Sequence, residues 1–271
     1  DKEGSFLKYD FSFSGLKTAV LRLVEKINSN GDDIPIPDIA ASFERVVAEV
    51  LVERTIKCAI DNGLDSIVVV GGVAANDTLR KMMIEEAHKK NMKVVLDCSL
   101  NHVHPRHYAF QDLVEKGEKS EYKDWFTVFD YPVRFIHRPH LYSNTYKVGW
   151  DGNQEEYKAY LEKTFKETKV PVEIKEDEGP IVEPTFKAWW GVPDMPKMNL
   201  KNDGARKWAL DVTEYWIKNF DIDGWRMDVA KELDFSFWKD FRDIALNAKK
   251  DVVLISEIFG DTSQWLQGDR F

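Results

Sequence analysis

Three short runs of nearly unbroken apolar residues constrain this 271-residue chain more than any other feature: SIVVV at 66–70, MKVVL at 92–96 and VVLIS at 252–256. Each has strand length, is rich in β-branched residues and is apolar on both faces, so each needs cover on both sides, as in a parallel sheet. Between the first two, Asn76 is placed to open a helix running to about Lys90. Strand, helix and strand then make a βαβ unit, right-handed by default. Upstream, the spacing of Ile39, Phe43, Val46, Val47, Val50, Leu51 and Ile56 predicts a helix over 38–62, with Asp38 as N-cap and Gly63 after its end. The alternation resumes late in the chain, with a helix from about Gly204 to Phe220, a strand near 222–228 and a helix near 234–248 before VVLIS. This order predicts an α/β fold in which SIVVV, MKVVL, the strand at 222–228 and VVLIS share one parallel sheet. Such a sheet has two open edges, to be covered by residues 1–60 or by a second copy, so self-association is expected.

From His102 to about Leu200 the chain reads as irregular and aromatic, with proline at 105, 132, 139, 171, 180, 184, 193 and 196. A segment that long between strands is expected to be a functional insertion. Within it, the acidic EIKEDEG at 173–179 is expected to be a solvated loop. A net charge of −9 argues against a phosphate-backbone partner, so no nucleic acid is expected. No apolar run approaches the roughly 18 residues that cross a bilayer, so no membrane partner is expected. DKEGSFLKYD has none of the features of a leader, and two cysteines, Cys58 and Cys98, make no disulfide framework. Reduced thiols and a cytoplasmic setting are the expectation.

Two groups of motifs carry chemistry. The first is FSFSGLKTAV at 11–20, DIAASFERVVAEVL at 38–51 and VVVGGVAANDTLRKMM at 68–83. Paired glycines let backbone approach a ligand, and the helix after them offers free N–H groups at its start. The same residues also suit a plain tight turn capped by Asn76. In order and wording these motifs resemble the C-terminal half of the tRNA threonylcarbamoyladenosine-synthesis (sialoglycoprotein endopeptidase-like) family, over about residues 1–92. The resemblance implies a fragment of the actin/Hsp70-like ATPase fold. It also implies that Gly71, Gly72 and Asn76 contact nucleotide, with Gly15 and Lys17 near the same cleft, and that ATP and a divalent metal are the cofactors. The family's histidine pair lies in its N-terminal half, and its C-terminal aspartate follows a strand where this sequence diverges.

The second group is VVLDCSLNH at 94–102, MPKMN at 195–199, GWRMDVAKE at 224–232 and LISEIFGD at 254–261. Carboxylates that close adjacent parallel strands point to acid/base or nucleophilic work at one sheet end. An ordinary structural ion pair between Arg226 and Asp228, and a solvated Glu257, remain open from the residues alone. These motifs resemble the α-amylase family, glycoside hydrolase family 13, in its neopullulanase/cyclomaltodextrinase branch, over about residues 85–271. The resemblance implies a partial (β/α)8 TIM barrel (residues 93–271) with a long irregular insertion after the third barrel strand, at about 103–200. It implies a retaining hydrolase of α-glucan oligosaccharides, with Asp228 as nucleophile, Glu257 as acid/base, and Asp97, His102 and Arg226 binding substrate. It also implies Asn101 as a ligand of a structural calcium ion (Ca2+), which many members hold and this branch often lacks. Two features depart from the pattern: Lys231 stands where the branch usually has Asn, and the third family carboxylate would follow Phe271. HVHPRH at 102–107 reads as substrate-facing or solvated histidines, with a metal cluster as the alternative. Trp189, Trp190 and Trp225 suit packing or sugar stacking equally. The chain thus reads as chimera-like, joined within 85–95, and its expected glycosidase activity is impaired; the alternatives are a nucleotide-binding fragment and an inactive packing unit.

Overall fold

A computed structural model describes residues 8–70, 73, 76–142 and 153–265. In chain order its main elements are α1 (Ser14–Ser29), α2 (Ile36–Asp61), β1 (Ser66–Val69), α3 (Asp77–His88), β2 (Lys93–Cys98), α4 (Tyr108–Lys116) and β3 (Phe135–His137). They continue with α5 (Gln154–Thr168), β4 (Val172–Ile174), β5 (Val182–Pro184), α6 (Asp203–Phe220), β6 (Gly224–Met227), α7 (Phe235–Ala248) and β7 (Val253–Ser256). The chain divides into two compact units, Asp1–Asp97 with Tyr215–Arg226 and Ala245–Ile255, and Cys98–Glu214 with Met227–Ile244 and Ser256–Phe271.

The larger sheet has the order β1-β2-β6-β7. β1 runs parallel to β2 with Ser66 opposite Lys93 and Val69 opposite Leu96. Parallel pairing continues across the sheet: Asp223 N–H bonds to the Val94 carbonyl at 2.8 Å, and Val253 N–H to the Asp223 carbonyl at 2.8 Å. Of the three apolar runs only that of β2 is buried as expected, with Val94 and Val95 each 1% exposed. In the edge strands β1 buries Ile67 alone, Val68 is 49% exposed, and Ile255 of β7 is 41% exposed, because an edge strand of this sheet is not covered on both faces. Gly224 has no room for a side chain, since a Cβ there would lie 2.1 Å from the Val253 carbonyl oxygen.

The first unit packs α2 on α3. Its buried α2 positions are Ala48, Val52, Ile56 and Ala59, a stripe of spacing four, four and three. Of the residues that the helical period singles out, only Ile56 belongs to that stripe; Val46 is exposed and the others are half-buried. The reason is that small alanines let the two helices approach, so the face that packs is not the most hydrophobic one. Asp38 lies in the first turn, not at the cap, because the helix starts at Ile36 with Pro37 in its first turn, where a missing N–H costs no intrahelical hydrogen bond. α1 buries no residue.

Asp223 ties this unit together. Its carboxylate accepts the Val94 N–H at 2.8 Å and the Lys249 Nζ at 2.7 Å, and lies 2.8 Å from His88 Nε2. Burial alone would raise its pKa, but Lys249, the Val94 amide and His88 together hold it below the usual carboxylate range.

The second unit contains the span that reads as irregular, and it has elements of its own: α4, α5 and a three-stranded sheet of order β4-β3-β5. These strands are three residues each, too short for a periodic signal. Phe110 meets Phe126 and Phe186 edge-on at 5.0 and 4.8 Å in its core. Of the acidic stretch at 173–179, Glu173 and Ile174 lie in β4, while residues 175–179 form an irregular segment whose last four residues are exposed, as expected of a solvated loop. Glu173 pairs with Arg134 at 2.5 Å, and Asp177 pairs with the buried Arg138 at 2.6 Å. A buried guanidinium requires carboxylate partners. His107, ahead of α4, has Trp208 edge-on at 4.8 Å and no hydrogen-bond partner at either ring nitrogen among the described residues. Both free thiols, Cys58 and Cys98, are half-buried.

Two outcomes follow. Asp223→Ala should lower unfolding stability by about 2–3 kcal/mol, the scale of charge-assisted hydrogen bonds lost from a buried group; a urea-denaturation change under about 0.5 kcal/mol would contradict the role given to it. Burial holds His107 down to about 4, against 6.5 for an unperturbed imidazole. The unfolded chain therefore binds this proton first as pH falls, so the contribution is complete above pH 6.5 and is lost towards pH 4. His102 and His137, lowered mainly by burial, act in the same direction. His107→Phe should flatten the fall in stability between pH 6.5 and 4.5, measured by denaturant titration at each pH.

Candidate active site

Each carboxylate singled out by the motifs sits at the carboxyl end of a strand in the larger sheet. In the first unit, Asp97 on β2 receives Arg226 on β6 at 2.5 Å, with both side chains 24% exposed.

In the second unit the backbone around Asp228 and Glu257 is tightly tied. Asp228 N–H bonds to the Cys98 carbonyl at 3.0 Å, and Glu257 N–H to the Met227 carbonyl at 2.9 Å. Asp228 and Glu257 therefore each occupy the first position after two adjacent parallel strands, which are spaced about 4.7–4.9 Å apart. Immediately beyond, Val229 adopts φ 46°, ψ 42°. The left-handed region costs a branched residue roughly 1–2 kcal/mol. The turn sends the Ala230 N–H back to the Glu257 carbonyl at 3.2 Å, while the Ala230 carbonyl accepts Trp238 Nε1 at 2.9 Å. Such strain is tolerated where neighbours over-determine the backbone.

His102 lies in the same unit, where its backbone bridges to Lys197. Its Nδ1 is 3.3 Å from both Ser99 Oγ and Asn101 Nδ2. The ring stacks on Trp189 at 5.3 Å and 12°, and Trp189 stacks on Trp190 at 5.3 Å and 25°. Burial lowers the His102 pKa, with the charge of Lys197 adding to it against that of Asp194. A neutral imidazole on an aromatic stack suits a polar, uncharged ligand. Trp190 is 84% exposed and held at φ 49°, so its indole faces solvent; Trp225 is core, 3% exposed. The period of the chain could not separate these three, because burial of an indole depends on what packs over it.

Asn101 is fully buried, and its Oδ1 has no hydrogen-bond partner among the described residues. Among those residues no group of three or more His, Cys, Asp or Glu could hold a metal ion. In the first unit, Asn76 caps α3 by accepting the Leu79 N–H at 2.8 Å and donates to Glu44 Oε1 at 2.6 Å. Gly15 and Lys17 lie exposed in the first turns of α1. Gly71 and Gly72 lie outside the described residues. Motif reading does not find Asp223; its one signal is an acid beside an apolar strand, in DIDGWRM.

Residues 74–178 and 184–271 match the model of the alpha amylase catalytic domain, and residues 2–97 match that of tRNA N6-adenosine threonylcarbamoyltransferase. Over 96 residues, 35% of this chain and 27% of the relative, the chain is 88% identical to the tRNA N6-adenosine threonylcarbamoyltransferase of Prochlorococcus marinus subsp. pastoris. It is 31% identical over 189 residues to the cyclomaltodextrinase of Thermoanaerobacter pseudethanolicus, covering 70% of this chain and 25% of that protein. The figures for neopullulanase 2 of Thermoactinomyces vulgaris are 31% over 191 residues, again 70% and 25%. The chain thus spans about a quarter of the length of the curated relatives it matches. Among solved structures, it is similar to Ttha1563 of Thermus thermophilus (TM-score 0.59, 28% identity, 83% of this chain and 41% of that one). It is also similar to the type III pullulan hydrolase of Thermococcus kodakarensis (TM-score 0.51, 28% identity, 72% and 26%). The chain belongs to the α-amylase family and carries an N-terminal segment like that of the tRNA N6-adenosine threonylcarbamoyltransferases.

Proposed function

We propose that the chain acts on α-glucan oligosaccharides as a retaining glycoside hydrolase. The observation that carries this reading is the pair of backbone ties that put Asp228 and Glu257 directly after neighbouring parallel strands. A retaining site needs two carboxyl groups about 5–5.5 Å apart, which is near the spacing of adjacent strands. In the first step the Asp228 carboxylate attacks the anomeric carbon, the glycosidic C–O bond breaks, and Glu257 gives its proton to the departing oxygen. In the second, Glu257 takes a proton from water, the water oxygen bonds to the anomeric carbon, and the ester to Asp228 breaks. Asp97, held by Arg226, would accept sugar hydroxyls, and neutral His102 with exposed Trp190 offers a hydrogen bond and a stacking face. The larger sheet serves this reading as part of a (β/α)8 barrel, with residues 103–200 as its inserted domain.

Calcium has no step here. The ion takes 6–8 oxygen ligands, and the described residues offer Asn101 Oδ1 without an acidic cluster to match its charge.

A second reading is a nucleotide site at Gly71, Gly72 and Asn76, favoured by the 88% identity of the N-terminal segment. Asn76 weakens it, because both ends of its amide are already bonded to Leu79 and Glu44. Titrating ATP into the chain by calorimetry separates the two readings.

On an aryl α-maltooligoside the expected product is the α-anomer, with turnover a small fraction of that of a full-length neopullulanase. Glu257→Gln should lower kcat about 10²–10⁴-fold, the range for a lost general acid. Asp228→Asn should abolish covalent intermediate formation. A β-anomeric product by proton NMR, or turnover that survives Asp228→Asn, would overturn the assignment.

A further inference from the structure

The second unit holds a cleft of about 520 Å3 whose charge runs against that of the chain. Five cations line it, Lys187, Lys197, Lys201, Arg206 and Lys231, against two acids, Glu232 and Asp234. The whole chain has the opposite balance, with 47 acidic and 38 basic residues. Both acids are already engaged. Glu232 pairs with Lys197 at 2.5 Å. Asp234 accepts the Ser236 N–H at 2.9 Å and the Phe237 N–H at 3.3 Å, capping α7. Arg206 is engaged too, by Asp240 at 2.7 Å. Lys187, Lys201 and Lys231 remain: all three are exposed, and none has a carboxylate partner among the described residues.

A neutral glucan gives no compensation for three ammonium groups around one cleft. An anion entering the cleft would meet three charged donors, and charged donors bind a phosphate ester more strongly than a hydroxyl. The cleft is also joined to the proposed sugar site, since Lys197 both lines it and bridges the backbone of His102, whose titration it influences. Phe235 and Trp265 on its wall suit the apolar face of a sugar ring. We propose that this cleft binds a phosphate monoester carried on the glucan, so that the preferred ligand is a phosphorylated α-glucan oligosaccharide. This rests on the glycan reading of the neighbouring site and adds to it a charge on the ligand.

The test is calorimetric binding to the 271-residue chain of three ligands: maltotetraose, maltotetraose bearing a 6-phosphate, and inorganic phosphate. Each is measured at low and high salt, with the native chain and with a variant combining K187A, K201A and K231A. The expected result is that the phosphorylated oligosaccharide binds roughly tenfold more tightly than the neutral one at low salt. High salt and the triple variant should each remove that advantage over maltotetraose. Equal affinity for the two oligosaccharides, or an advantage that survives the triple variant, overturns the proposal while leaving the glycan reading intact. Phosphate binding as tight as the phosphorylated oligosaccharide overturns it in favour of a free-anion site. Failure of both oligosaccharides to bind overturns the glycan reading and this proposal with it. Since loss of fold could mimic loss of affinity, unchanged maltotetraose binding by the single variant Lys201→Gln, with a partial loss of the phosphate advantage, is required as well.

Discussion

The carboxylate of Asp223 is the constraint on which the first unit depends. A buried carboxylate is tolerated only with partners for its lone pairs, and here an amide, an ammonium and an imidazole supply them. Because one of those partners is the Val94 amide, the bond sets the pairing of β6 against β2. A slip of one residue would turn every side chain of β6 to the opposite face. Correct pairing is what lets Arg226 reach Asp97, and it carries the chain to Asp228 in register with Cys98. Lys249 also pairs with Asp221 at 3.0 Å, and Asp221 itself adopts φ 53°. The amino ends of β2 and β6 are therefore held by charge, not by apolar packing alone.

Residues 74–97 match both families, and they are also the residues that fasten α3 to the rest of the first unit. Leu79, Met83, Ile84 and Ala87 form the buried face of α3. Arg80, 5% exposed, places its guanidinium 4.2 Å from the Trp216 ring and 5.3 Å from that of Phe220. His88 supplies the contact with Asp223. A helix followed by a buried parallel strand is a generic unit: any sequence with an apolar face, a capped start and a β-branched run can supply it. What ties it to this particular sheet is a few polar side chains at its ends and one arginine against two aromatic rings.

The second unit balances charge differently. Two of its arginines, Arg134 and Arg138, pair with Asp130, Glu173, Asp177 and Glu183. The unit also holds two features that work against stability, the solvent-facing indole of Trp190 and the left-handed backbone of Val229. Both are of the kind that a binding surface retains against a stability cost.

Sequence by itself determined the strand-helix-strand order, the parallel class and the identity of the two ancestries. Short β-branched runs mark the strands, and the motif residues stand at the ends of those runs, although only β2 is buried on both faces. It also marked Asp97, Asp228 and Glu257, because position after a strand can be read from the chain alone. Tertiary structure decided what depends on partners distant in sequence. Asn76, already legible as the cap of α3, gained Glu44 as the partner of its amide N–H, and Glu173 and Asp177 became counter-charges of two arginines. The most apolar face of α2 lost its place in the core to a stripe containing two alanines, and an acid beside β6 became the anchor of the sheet. Periodicity reports which side chains avoid water. Which of them meet, and which charges must be neutralised when they do, is set only when residues far apart in sequence come together, as His88 and Asp223 do at 2.8 Å.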